Sequence, residues 1–152
     1  MLVPHNSLVL VADGGRFSLF RNRGRGLAPD LQLVVEKIQH VPDTADLGSD
    51  QPGTSFPSSG GRRASYDTTD FHQRAEDEFA SEAASLTDCH TDDLVEGIVV
   101  IAAPKTLSVL RKSYTPKVRQ RIIAEIDKDY AALPAKDIEE LLVATKVIRK
   151  PE

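Results

Sequence analysis

Short apolar segments alternate with turn-forming residues at the start of the chain. Residues 8–12 (Leu-Val-Leu-Val-Ala) are uniformly apolar, residues 16–20 alternate, and Asp13-Gly14-Gly15 lies between them. Glycine accommodates the positive φ that a tight hairpin turn requires, so this pattern predicts a β-hairpin. A third strand is expected over Leu31–Ile38, and the three strands together predict an antiparallel meander.

The next stretch shows no apolar periodicity of either kind. Residues 42–65 are rich in proline, glycine and serine. A loop of roughly 20 residues inside a compact domain is uncommon and is usually functional or disordered. We therefore predict a single domain spanning residues 1–152, with a long mobile loop at residues 42–65 inside it.

Helical periodicity begins after this segment. Phe71, Ala75, Phe79 and Ala83 recur every four residues. This spacing predicts an amphipathic helix over residues 70–86, with one packed side and an acidic side exposed to solvent.

The second half of the chain mixes strand and helix signals. Leu94–Ala103 is apolar almost throughout, which is typical of a central strand covered on both faces. Pro104 begins a short helix, and Pro134 suits the first turn of a final helix. Between them, residues 118–130 fit either a helix or, over Ile122–Asp127, a strand. The strand alternative gives the order β-β-β-α-β-α-β-α and a mixed sheet with a parallel half.

Composition narrows the class of protein. The chain has 152 residues, of which 40% are hydrophobic and 28% charged, and this is typical of one soluble globular domain. No apolar run approaches the roughly 18–20 residues that cross a bilayer, so we expect no membrane insertion. One cysteine, Cys89, cannot form an internal disulfide, and no secretion signal precedes the first strand. We therefore predict a cytoplasmic protein.

Signatures of catalysis are sparse. The sequence contains no phosphate-binding loop, no dinucleotide-binding loop and no serine nucleophile elbow. Asp13, at a strand end, has Glu36 and Asp127 as the companions that two-metal chemistry would need. An aspartate in a turn more commonly bonds its own backbone, so a turn role is favoured. We predict no metal site, no cofactor and no catalytic residue.

Basic residues are concentrated in three stretches, although the formal net charge is −4. They surround the first hairpin, close the Pro/Gly/Ser-rich segment, and run from residue 105 to residue 121 without an intervening acid. Convergence of these stretches would form a phosphate-binding face, whereas separate stretches would be ordinary solvated surface. The candidate RNA- or phosphate-binding residues are Gly60, Gly61, Arg62, Arg63, Arg21, Arg23, Arg25, Arg111 and Lys112.

Four segments, read in order, resemble the bacterial host attachment protein family, whose members are described as required for attachment to host cells. They are Leu8–Phe20 with its Ala12-Asp13-Gly14-Gly15-Arg16 turn, Tyr66–Ala80, Val100–Lys112, and Ala124–Tyr130 followed by Pro134. That family is similar to the middle domain of eukaryotic and archaeal peptide-chain release factors. The resemblance implies a ribonuclease-H-like α/β fold with a five-strand mixed sheet and flanking helices. It also favours the strand alternative for Ile122–Asp127.

The resemblance further implies a functional segment. In release factors a Gly-Gly-Gln loop precedes the long helix and enters the peptidyl-transferase centre of the ribosome. Gly60 and Gly61 occupy the matching place here, and Arg62 stands where the glutamine would be. This departure argues against peptidyl-tRNA hydrolysis by the release-factor mechanism and leaves contact with RNA as the expected role.

Three hypotheses of function follow. The first is a non-enzymatic cytoplasmic module, associated with RNA, that uses its Gly-Gly-Arg segment to contact the ribosome or tRNA. The alternative is a protein–protein interaction factor that supports attachment to host cells. The third and least favoured is a metal-dependent nuclease that uses Asp13.

Overall fold

The computed structural model describes the backbone of residues 1–39 and 58–145, and the side chains of residues 1–39 and 73–145. Five strands and four helices lie in these residues. In chain order they are β1 (Leu8–Ala12), β2 (Arg16–Asn22), β3 (Leu31–Ile38), α1 (Ser58–Cys89), β4 (Ile98–Ala102), α2 (Pro104–Ser113), α3 (Pro116–Arg121), β5 (Ile122–Ile126) and α4 (Ala135–Ala144).

The strands form one mixed sheet in the order β3-β2-β1-β4-β5. The pairs β1–β2 and β2–β3 are antiparallel, whereas β1–β4 and β4–β5 are parallel. The predicted α/β domain with a five-strand mixed sheet is therefore confirmed, including the strand alternative near residue 122. Helix α3 was not predicted. It forms because Pro116 suits a first turn and the Thr115 hydroxyl accepts a hydrogen bond from the Val118 N–H at 3.2 Å.

Helices cover both faces of the sheet. Helices α1, α2 and α3 pack on one face, where the Phe17 and Phe79 rings lie 5.1 Å apart between centroids. Helix α4 packs on the other face, where Ile138 and Leu142 are fully buried. All residues of the central strands β1 and β4 are buried, because helices cover both of their faces.

The fourth strand is shorter than predicted. It begins at Ile98 rather than at Leu94. Leu94 is exposed, and its N–H donates a hydrogen bond to the Asp92 carboxylate at 2.9 Å. This bond is typical of a turn, so the residues just before the strand form a turn instead.

The β1–β2 turn forms, but the expected reason for its glycines is wrong. Neither Gly14 nor Gly15 has a φ in the left-handed region. The turn is closed by Asp13, whose Oδ1 accepts a hydrogen bond from the Gly15 N–H at 2.7 Å. A Cβ at position 14 would lie 3.1–3.2 Å from the side chain of Glu76. Gly14 is therefore suited to this turn because helix α1 passes close to it.

Helix α1 corrects the boundaries of the predicted loop. The helix begins at Ser58, so residues 58–65 are its first turns rather than the end of a loop. Residues 42–57 of the predicted loop lie outside the described residues. No proline interrupts the chain between Pro57 and Pro104. Each helical residue adds a hydrogen bond once the helix is nucleated, so two glycines at about 1 kcal/mol each do not end it.

Strand β3 forms one edge of the sheet and is mostly exposed. Its Leu33 and Ile38 side chains are 54% and 59% exposed. Lys37 of this strand forms an exposed ion pair with Glu82 of α1. In the part of the chain that the structure describes, no helix has both the length and the apolar character that a membrane span requires.

Candidate nucleic-acid interface

Helix α1 runs antiparallel to β1 and connects the two ends of the sheet. We call the end where β1, β4 and β5 finish the carboxyl edge, and the opposite end the amino edge. At the carboxyl edge, Glu76 of α1 lies against Gly14 and 3.7 Å from the Nζ atom of Lys105. Near the amino edge, Asp88 accepts a hydrogen bond from the Thr115 hydroxyl at 2.6 Å. The helix therefore has a defined direction relative to the sheet.

The segment Gly60–Arg63 lies on the first turns of α1. It precedes Glu76 by 13–16 residues of continuous helix, about 20–24 Å at 1.5 Å per residue. Because the helix runs from the carboxyl edge to the amino edge, this segment lies beyond the carboxyl edge.

Arg21, Arg23 and Arg25 lie at the amino edge. Arg21 pairs with Leu8, the first residue of β1, and the other two follow in the turn after β2. Arg23 and Arg25 are exposed, and the Arg23 Nε donates to the Gln32 Oε1 at 3.3 Å. Their turn is organised by Asn22.

Asn22 fixes the backbone that carries these arginines. Its Oδ1 accepts hydrogen bonds from the N–H groups of Gly24 and Asp30, both at 2.9 Å. Its Nδ2 donates to the carbonyls of Val3 and Pro4. Every polar atom of this buried side chain is therefore satisfied, as a buried amide requires.

Arg111 and Lys112 occupy the last turn of α2. The Nε and Nη2 atoms of Arg111 lie 2.9 and 2.7 Å from the Oε1 of Glu125 in β5. The Tyr114 hydroxyl donates to the other carboxylate oxygen of Glu125 at 3.3 Å. The Glu125 side chain is only 5% exposed, so these two partners compensate a charge that would otherwise be costly to bury.

This pairing raises the pKa values of Tyr114 and Arg111. Burial, with the adjacent Glu125 carboxylate, raises the pKa of Tyr114 well above its ordinary value, so the hydroxyl remains a donor. The hydrogen bond to Glu125 raises the pKa of Arg111 as well.

Three further cations extend the group around Arg111. Arg119 donates from Nη2 to the Arg111 carbonyl at 2.7 Å, and its guanidinium lies 5.7 Å from the centre of the Tyr114 ring. Lys117 lies 3.7 Å from Asp88, and Arg121 donates to the Asp92 carbonyl at 3.0 Å. We call this group the α2–α3 basic surface; its members are Arg111, Lys112, Lys117, Arg119 and Arg121.

The candidate residues thus form separate groups. Arg21, Arg23 and Arg25 share the amino edge with the α2–α3 basic surface, but β1 and β4 lie between β2 and β5. Three strand spacings of about 4.8 Å separate the two groups by about 14 Å. Gly60–Arg63 lies at the opposite end of the molecule.

Glu125 and Tyr114, which lie at the centre of the α2–α3 group, were not among the candidate residues predicted from the sequence. One signal was available. Glu125 is the only charged residue in the strand Ile122–Ile126. A lone acid in an otherwise apolar strand indicates either an exposed face or a specific partner.

Asp13 has the turn role that was favoured for it, as its bond to Gly15 shows. Glu36, one of its proposed companions, accepts a hydrogen bond from the Ser18 hydroxyl at 3.2 Å. Within residues 1–39 and the side chains described from 73 to 145, no three histidine, cysteine, aspartate or glutamate residues are grouped so that they could hold a metal ion.

Comparison with known protein families adds the decisive observation. The model of bacterial archaeo-eukaryotic release factor family 12 matches residues 6–142. The chain belongs to this family. The matched residues include all five strands of this family 12 member. The predicted likeness to release factors is therefore confirmed. The match does not concern attachment to host cells, which stays a prediction. No curated protein matches the chain.

Proposed function

We propose that this release-factor family member is a non-enzymatic module that associates with RNA or the ribosome through Gly60–Arg63. The observation that carries the proposal is the family match over residues 6–142, which includes Gly60–Arg63 and the helix that bears it. This segment lies about 20–24 Å beyond the carboxyl edge of the sheet, where a narrow ligand site could admit it without the rest of the domain.

The residue types of this segment suit a phosphate-rich surface. Glycines have no side chain, so the backbone at Gly60 and Gly61 can approach a ligand closely. Arginine presents a planar set of donors that matches phosphate geometry, and Arg62 and Arg63 supply two. Because Arg62 replaces the glutamine of the release-factor motif, we propose binding without hydrolysis of peptidyl-tRNA. The proposal implies a cytoplasmic location.

Cosedimentation with ribosomes on a gradient, at low and moderate salt, tests the proposal. The native-level tagged protein is compared with Arg62→Glu/Arg63→Glu and with a control, Lys128→Glu/Lys136→Glu. The control changes the net charge equally at two exposed lysines that are not among the candidate residues. We expect salt-sensitive association of the wild type and the control, and loss of association in the arginine variant.

Two results would contradict the proposal. Association of the arginine variant equal to that of the control would remove Gly60–Arg63 from the contact. Absence of association at either salt concentration would limit the release-factor likeness to a shared fold. Equal thermal stability of the two variants is required for the comparison.

A protein partner is the second candidate function, and strand β3 favours it. An exposed edge strand with apolar side chains, here Leu33, Val34 and Ile38, is a common docking element for a strand of another chain. An export assay separates this role from direct adhesion. A protein found only in the cytosol cannot itself contact the host cell.

A further inference from the structure

We propose that the α2–α3 basic surface is a second contact for the RNA backbone, about 40 Å from Gly60–Arg63, so that one RNA can bridge the two. The inference rests on the proposed function for its partner, RNA. It adds a second site and a length requirement that the first site alone does not have.

The charge of this surface is the first argument. Residues 104–124 include six cations and no acid. The side chains of Arg111 and Lys117 are 53% and 47% exposed although each pairs with a carboxylate. The five cations of the surface therefore exceed the two carboxylates, Glu125 and Asp88, that pair with them. Lys112 is exposed, and the described residues provide no partner for it.

The geometry of the arginines is the second argument. Arg111 uses two of its five N–H donors on one Glu125 oxygen, and the remaining donors stay available. Arg119 is held by the Arg111 carbonyl and by the face of Tyr114. Side chains that are already fixed lose less entropy when a ligand binds. Glu125 and Tyr114 are therefore positioning residues for the two arginines.

The absence of apolar anchors identifies the class of partner. In the described part of the chain, none of the exposed large apolar side chains lies in α2 or α3. Protein interfaces are centred on buried aromatic or apolar anchors, and helices that bind membranes insert apolar side chains. Helices α2 and α3 carry cations, no acid and no exposed large apolar side chain, and this composition matches the phosphates of a nucleic acid.

The length of α1 sets the distance between the two sites. Arg62 precedes Asp88 by 26 residues of continuous helix, about 39 Å at 1.5 Å per residue. Asp88 lies 3.7 Å from Lys117 of the α2–α3 basic surface. A-form RNA rises by less per base pair than the roughly 3.4 Å of B-DNA, so an RNA duplex must contain more than about 12 base pairs to reach from one site to the other.

The inference is tested by measuring, with fluorescence anisotropy over a salt series, how tightly the full chain binds double-stranded RNAs. One RNA has about 8 base pairs and the other about 18, so that only the longer can bridge the sites. The variants are Lys112→Glu/Arg119→Glu, Arg62→Glu/Arg63→Glu and the control Lys128→Glu/Lys136→Glu. We expect Lys112→Glu/Arg119→Glu to lower the salt slope by about 2 on the longer RNA, which contacts both sites.

The longer RNA should bind the wild type and the control at least about tenfold more tightly than the shorter one, because the second contact becomes intramolecular. Each arginine-containing variant should lose this gain. Should Lys112→Glu/Arg119→Glu fail to fold, Lys112→Glu alone replaces an exposed side chain and must lower the slope by about 1.

The outcomes separate the two proposals. Slopes of the Lys112 variants equal to that of the control would overturn the second contact, whatever Arg62 and Arg63 do. Loss of binding in the Lys112 variants with no effect of Arg62→Glu/Arg63→Glu would retain the α2–α3 contact and overturn both the bridge and the first site. Equal binding of polyglutamate would overturn the assignment of this surface to RNA.

Discussion

Two helical segments cover the same face of the sheet by different means. Over β1 and β2, the buried side chains of helix α1 that join the core are apolar, Phe79 lies on Phe17, and the ion pair of Glu82 with Lys37 is exposed. Over β4 and β5, helices α2 and α3 add a polar group in which Glu125 lies beneath Arg111. The first contact stabilises the fold through a core that contains no buried charge. In the second contact, the ion pair of Arg111 with the buried Glu125 contributes to the stability of the fold and also positions Arg111. The fold and the candidate site therefore share these two residues.

The largest expected loss of stability comes from removing an apolar contact between α1 and the sheet. Phe79→Ala removes a buried ring from its contact with Phe17 and should lower the free energy of unfolding by about 3–5 kcal/mol. Urea denaturation measures the change. Ser81→Ala, at an exposed position of the same helix, should change stability by less than about 0.5 kcal/mol. Equal effects of the two substitutions would contradict the packing described for α1.

The next effect concerns the polar half. Arg111→Ala leaves the buried Glu125 carboxylate without its cation, which should cost about 2 kcal/mol, less than a fully buried pair because Arg111 is half exposed. In the double variant Arg111→Ala/Glu125→Gln the second substitution should restore part of that loss. Additive losses in this cycle, measured by denaturation, would show that the two side chains do not interact.

Tyr114 gives a smaller effect with a defined pH dependence. Its folded pKa is raised above the unfolded value of about 10, so the protonated hydroxyl contributes stability that is complete below that pH. Above pH of about 10 the unfolded state loses its proton first, and the stability should fall as pH rises further. Tyr114→Phe should cost about 1 kcal/mol at neutral pH and make the alkaline decline less steep. Unfolding followed against pH measures both, and an unchanged decline would contradict the raised pKa.

Lys112→Glu should have the smallest effect on stability, in contrast to its expected effect on RNA binding. The side chain is exposed on the last turn of α2, so the free energy of unfolding should change by no more than about 0.5 kcal/mol. RNA affinity should nevertheless fall. A loss of stability larger than that of Tyr114→Phe would show that Lys112 is structural instead.

Strands β1 to β4 could be predicted because their signals are local, whereas local signals left β5 open and the family resemblance favoured it. Each of these signals is contained in a few consecutive residues. The apolar runs at Leu8–Ala12 and Ile98–Ala102 are buried, and the turn at Asp13 is closed by its bond to Gly15. The start of α1 could not be predicted, because its first residues have no apolar periodicity and two glycines. Continuity with the packed part of the helix extends it to Ser58.

The candidate site was less predictable than the fold, because it depends on distant contacts. Glu125 meets Arg111 from 14 residues away, and Asp88 meets Thr115 from 27 residues away. No spacing rule connects such positions. Basic residues could be counted from the sequence, but only the sheet order separates Arg21, Arg23 and Arg25 from the α2–α3 basic surface.

Hydrogen–deuterium exchange of the full chain, with and without ribosomes, tests the central claim most directly, because it reports the contact residue by residue. We expect slower exchange on binding in residues 58–66 and 111–121, and no change in α4, which lies on the opposite face of the sheet. Protection confined to α4, or no protection in either basic segment at a ribosome concentration that saturates cosedimentation, would contradict it.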